Sequence, residues 1–145
     1  MTYKLCQGTD PVLRQVAEPV GPGELDVALI NDMEAILKFN QALGLAAPQV
    51  GVSKRVIMVR YGLEILTMIN PKITKADGGK GSIVEECLSY PGLKRRVPRD
   101  KRIKVTYLDC YGEPQKRKFK GLDATVVQHE IDHLDGITLK FPRGL

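Results

Sequence analysis

The chain's only two histidines stand four residues apart, in His129-Glu130-Ile131-Asp132-His133 near the C-terminus. Residues four apart share one face of an α-helix, with about 6 Å between their β-carbons, so a helix here brings both imidazoles to one point. The surrounding pattern predicts that helix. Leu122, Val126, His129 and His133 recur at steps of four, three and four across 121–135, and Gly136 supplies a C-terminal stop. Glu130 falls at the edge of the same face. H-E-x-x-H puts two metal ligands beside a carboxylate able to hold a water and take its proton, which is the chemistry of metal-assisted hydrolysis. An exposed charged turn that happens to hold two histidines is the bland alternative.

A hydrolytic metal takes three protein ligands and keeps one open position. Downstream the sequence offers no third: position 139 is Leu139 where a third histidine would fall, and 134–145 contains no Glu. Asp135 follows the second histidine too closely. That leaves Cys6, Cys87 and Cys110, an odd number with no C-x-x-C pair, which argues against a disulfide scaffold or a zinc knuckle. A thiolate suits zinc or ferrous iron. Cys6 lies near the terminus and Cys110 in a turn. Cys87 sits in Glu85-Glu86-Cys87-Leu88-Ser89-Tyr90-Pro91-Gly92, a segment with little reason to be buried, and spacing favours it without deciding the matter.

The rest of the chain reads as one α+β domain over 1–145, with antiparallel strand hairpins around the C-terminal metal-binding helix. Leu25, Leu29, Met33, Ile36 and Leu37 predict an amphipathic helix over 24–40. Arg55–Arg60 and Glu64–Asn70 pair as a hairpin that Pro71 ends. Ile103, Val105 and Tyr107 alternate with polar residues, and a turn over 109–114 leads into a basic strand at 115–120. With 145 residues the chain can bury about 70% of its unfolded surface, so a metal is not needed for folding. No apolar run approaches the roughly 20 residues of a membrane span, and no signal segment opens the chain, so a cytoplasmic protein without a membrane partner is expected. Of the net +5, residues 91–120 carry +8, eleven Lys or Arg against three acids, and the remainder sums to −3. Such a stripe reads first as a solvated strand face.

Three segments together resemble peptide deformylases: Gly44-Leu45-Ala46-Ala47-Pro48-Gln49, Glu85-Glu86-Cys87-Leu88-Ser89 and Gln128-His129-Glu130-Ile131-Asp132-His133. The resemblance covers nearly the whole chain and implies the same α+β plan. It makes Cys87, His129 and His133 the metal ligands, selecting Cys87 over Cys110, and Glu130 the general acid/base. The activity implied is hydrolysis of the N-formyl group from the initiator methionine of a nascent polypeptide, releasing formate. Gln49, through its side-chain amide, and Leu88, through its N–H, would stabilise the developing oxyanion. Leu43, Gly44, Ile83, Glu86, Leu122 and Val126 would contact the peptide, with Leu122 and Val126 on the face of His129 and Gly44 letting a backbone add as a strand. Leu122, Val126 and Ile83 each also read as ordinary core, and Gly44 as a simple turn. The ion implied is one Fe²⁺, although the donor set accepts Zn²⁺, Ni²⁺ or Co²⁺.

Two residues depart from that pattern, since Ala42 and Glu86 stand where the family usually has glycine. Glu86 raises the question of a left-handed backbone before Cys87. The chain stops twelve residues after His133, so it resembles short, tail-less members, some of them phage-encoded, acting in a bacterial or infected-host cytoplasm. In place of a C-terminal helix, the basic 91–120 region would bind ribosomal RNA. A monomer is expected. Two rivals stand beside this reading: a nucleic-acid-binding protein with a structural metal, and an amidase or aminopeptidase using the same metal chemistry.

Overall fold

In a computed structural model, which describes residues 2–143, the chain runs through seven strands and two α-helices. Helix α1 spans Val27–Phe39 and α2 Gly121–Leu134. The strands are β1 Gly44–Ala46, β2 Val56–Tyr61, β3 Glu64–Gly81, β4 Val84–Glu85, β5 Arg95–Arg96, β6 Arg99–Leu108 and β7 Pro114–Lys120. Five form one antiparallel sheet in the order β1-β2-β3-β6-β7, while β4 and β5 pair by themselves. The two hairpins expected from the sequence are both present, and β3 pairing with β6 joins them.

The four-residue apolar run at Val56–Val59 is explained by a sheet buried on both faces. Ile57 and Val59 face α2, joining Ala124, Val127, Ile131 and Leu134 in one cluster with Met68, Ile103, Val105, Tyr107 and Phe119. Val56 and Met58 face the other way and pack with Leu29, Met33, Ile36 and Leu37 of α1. Helix α2 therefore turns one stripe to the sheet and leaves the adjacent stripe, bearing the histidines, for another purpose.

Two boundaries and the burial of one side chain differ from expectation. Helix α1 begins at 27 because Asp26 caps it, accepting from the Ala28 N–H at 2.9 Å, while the Glu24 carboxylate accepts from the Gly21 N–H at 3.0 Å. Strand β3 does not end at Pro71 but continues for ten residues to Gly81. The register shifts between Ile69 and Lys72, so the missing proline N–H falls in a bulge, with Asn70 at φ 51 and its amide bridging both backbone groups of Val20. Cys87, in a segment that the sequence gives no reason to bury, is buried beside Leu13, Tyr90 and Leu139. The short 3-10 helix at Pro11–Arg14 supplies Leu13.

Gly136 ends α2 as expected. It adopts φ 73, its N–H reaches the His133 carbonyl at 3.2 Å, and the Ile137 N–H reaches that of Asp132 at 2.9 Å. A β-carbon there would stand 2.5 Å from the Arg14 carbonyl oxygen. Gly136→Ala is therefore expected to lower stability by about 2–4 kcal/mol, combining left-handed strain with a backbone collision. Urea unfolding reads this as a lower midpoint at unchanged slope; a midpoint equal to wild type would contradict it.

Candidate metal centre

Cys87, just beyond β4, and His129 and His133 on α2 bring their donor atoms within 4.8 Å of one another. The Cys87 Sγ lies 3.3 Å from His133 Nε2. Two ligand atoms on one tetrahedral ion are about 3.5 Å apart, so one thiolate and two imidazoles at this spacing fit a single borderline divalent cation. The group has three members, whereas a structural zinc site closes with four; among the described residues no fourth joins it.

The ring of His129 is oriented from behind. Its Nδ1 lies 2.9 Å from Glu85 Oε1, a carboxylate that can only accept, so Nδ1 carries the proton and Nε2 is left for a metal. Glu85 in turn takes two hydrogen bonds from Arg99, at 3.0 and 2.8 Å, and Arg99 reaches Asp132 on α2 at 2.5 Å. Burial alone would raise the Glu85 carboxyl, but the hydrogen bond from His129 and the Arg99 guanidinium outweigh it and hold the pKa below its ordinary value. Burial opposes a charge on His129 too; its contacts with Cys87, Glu130 and Glu85 outweigh burial and lift it to about 10. Holding a metal there would require this imidazole to give up a proton. Burial drives His133 down to about 3, with His129 and Arg99 adding to the effect, so this imidazole is neutral and ready to ligate.

Glu130 is buried, and its Oε1 has no hydrogen-bond partner among the described residues. Burial pushes its pKa up to about 7, against the pull of the His129 and Arg99 charges. A buried carboxylate left half-unpaired is costly unless it serves a function. Gln49 approaches from the 3-10 turn at Ala47–Val50: its Oε1 accepts from the Ala46 N–H at 2.9 Å, which aims Nε2 at Cys87 Sγ (3.5 Å) and Ser89 Oγ (3.2 Å).

These groups open into a cleft of about 510 Å³ between α2 and the β1 edge of the sheet. Leu43, Gly44, Ile83, Glu86, Leu88, Leu122 and Val126 all line it, together with Gln49, Cys87, His129 and Glu130; His133 does not, and opens instead on a separate cavity with Arg99, His129 and Asp132. Leu43, Ile83 and Leu122 are exposed apolar side chains, not core. Gly44 lies in a strand rather than a turn, and a β-carbon there would stand 2.7 Å from Glu130 Oε2 and 3.0 Å from Val126 Cγ1, so glycine is what lets α2 approach β1. Glu86 does not have a positive φ, which removes the question raised by its replacing glycine. Cys6 and Cys110 are not among the converging donors, although the Cys6 N–H bonds the Gln49 carbonyl at 2.8 Å.

The sequence pattern assigns no role to Arg99, Asp132 or Ser89. Arg99 falls within the basic stripe expected to be solvated, yet its side chain is 7% exposed. No periodicity marks it, because its two carboxylate partners come from β4 and α2, 14 and 33 residues away. Asp132, inside the H-E-x-x-H segment, is the one available signal.

The model of the family described as polypeptide deformylase matches residues 2–140. A peptide deformylase of Carboxydothermus hydrogenoformans is 40% identical over 136 residues, 93% of this chain and 89% of its own length. Among solved structures, an Acinetobacter baumannii peptide deformylase with Met-Ala-Ser bound superposes with a TM-score of 0.89 at 33% identity, covering 97% of both chains. A probable peptide deformylase of a Synechococcus phage gives 0.88 at 40% identity, over 96% of this chain and 98% of its own. Matched over nearly its whole length in this way, the chain belongs to the peptide deformylase family of metal-dependent hydrolases.

Proposed function

We propose that the chain, acting as one catalytic domain, removes the N-formyl group from the initiator methionine of nascent polypeptides. One observation supports this best: the unpartnered Glu130 Oε1, buried beside three converging metal donors. Cys87, His129 and His133 would hold one divalent ion, Fe²⁺ in the cell, with Zn²⁺, Ni²⁺ or Co²⁺ suiting the same donors. When bound, the ion supplies Lewis acidity, polarising the formyl carbonyl and making a water acidic near neutral pH.

The side chains divide the remaining work. Glu130 takes the proton from the attacking water and hands it to the departing amine, and a pKa of about 7 suits both directions. The C–N bond breaks, leaving formate and a free α-amine. The Gln49 Nε2, its direction fixed by the Ala46 bond, donates to the developing oxyanion together with the Leu88 N–H. Leu43, Ile83, Leu122 and Val126 form apolar walls for the methionine side chain. Gly44, on the edge strand, offers its backbone to an extended peptide, while Glu86 stands at the rim.

The proposed partner beyond the substrate is the ribosome, met by a monomer in a bacterial or phage-infected cytoplasm. The cationic region supports it in modified form. Arg99 is buried and leaves the stripe, but Lys75 of β3 joins it, standing opposite Lys104, itself opposite Lys118, while Arg102 stands between Asp77, which pairs with it, and Lys120. Like charges directly opposite destabilise a sheet, a cost an RNA phosphate backbone would offset.

Formate release from formyl-Met-Ala-Ser by metal-replete protein tests the activity. Glu130→Gln is expected to lower the rate by about 10² to 10⁴ at unchanged metal content, and a mutant as fast as wild type would overturn its role. Arg99→Met leaves Glu85 buried without its cation. It is expected to cost about 3–5 kcal/mol in denaturant unfolding and to weaken metal binding about 10- to 100-fold in a chelator competition; unchanged metal affinity would break the link from Arg99 to His129. Cosedimentation with ribosomes should fall steeply as salt rises and with Lys104→Glu/Lys118→Glu. Binding indifferent to both would refute the RNA contact.

A further inference from the structure

We infer that Glu86 makes the cleft select peptides with a lysine or arginine within two residues after the methionine, a refinement that rests on the deformylase reading of the same cleft. Consecutive glutamates here do opposite things. Glu85 turns inward to Arg99 and His129, whereas Glu86 lies exposed at the lip of the cleft. No lysine or arginine lines that cleft among the described residues, and its other two acids are committed, Glu85 to Arg99 and Glu130 to the chemistry. Glu86 is thus the one carboxylate free to meet a peptide charge.

Its present partner is weak. Lys94 Nζ stands 3.6 Å from Glu86 Oε1, and the two side chains are 66% and 67% exposed. An ion pair so open to water contributes little, so an incoming ammonium or guanidinium can take its place. An extended peptide advances about 3.3 Å per residue, which keeps the two residues after the methionine within reach of a rim charge. Arg95 and Arg96 of β5, which stand opposite Glu85 and Val84, are exposed cations near Glu86 that oppose the effect, but neither lines the cleft, and charges farther than about 10 Å are screened at 0.1 M salt. The densest cations also flank β7, at the opposite end of the strand order from β1.

Changing a peptide residue from glutamate to lysine beside a solvent-exposed carboxylate is expected to change kcat/KM by about three- to tenfold. The test compares formyl-Met-Lys-Ser, formyl-Met-Glu-Ser and the corresponding pair varied at the third residue, with formyl-Met-Ala-Ser as the neutral reference. The lysine or arginine member should win in at least one pair, and the ratio should shrink in 1 M salt and collapse in Glu86→Gln. Lys94→Ala should widen it while leaving the neutral reference unchanged. Equal rates within both pairs, or a ratio that survives Glu86→Gln, would overturn the inference. Binding of the formate-free products Met-Lys-Ser and Met-Glu-Ser, followed calorimetrically, reads the same preference without turnover. A protein that discriminates between these products yet releases no formate would overturn the deformylase activity and leave the charge selection standing.

Discussion

A single guanidinium holds the working half of the molecule together. Arg99, at the start of β6, bonds both oxygens of Glu85 in β4 and one of Asp132 on α2. Removing three charges from water costs several kcal/mol per ion, and the bidentate geometry is what repays it. Through Glu85 the same contact sets the tautomer of His129, so the position of the small β4–β5 sheet, the seating of α2 and the direction of a metal ligand are one electrostatic problem. Its two carboxylate partners explain why the arginine lies within the fold although ten other Lys or Arg of its segment accompany it in sequence.

The sheet makes this arrangement possible by being buried on both sides at its β1–β2 end. Helix α1 covers one face and α2 the other, so α2 needs only the stripe through Ala124, Val127, Ile131 and Leu134 for packing. Its neighbouring stripe, from Leu122 through Val126 to His129 and His133, is left for the cleft and the metal donors. Close approach to β1 then depends on Gly44, where any side chain would strike Glu130. The apolar surroundings that raise the Glu130 pKa thus follow from the same packing that closes the core.

Much of this is legible in the amino-acid sequence. The helix bearing the histidines, both hairpins and the α+β class follow from periodicity, because side chains that repeat every 3.6 or every two residues can bury only one way. Elimination narrows the third metal ligand to the cysteines, and the resemblance of three motifs selects Cys87 to join His129 and His133. What escapes are features without a period: the bulge that carries β3 past Pro71, the burial of Cys87 and the commitment of Arg99.

The relation among His129, Glu130 and His133 was determined by sequence alone, since four residues of helix fix it whatever the rest of the chain does. Tertiary structure decided the remainder: how Cys87 comes to be buried against His133, which arginine leaves the surface, and which of two adjacent glutamates turns inward. Those choices join residues 14 to 46 apart in the chain. Their energies come from desolvation and from partners on other elements, and neither is carried by the local pattern of amino acids.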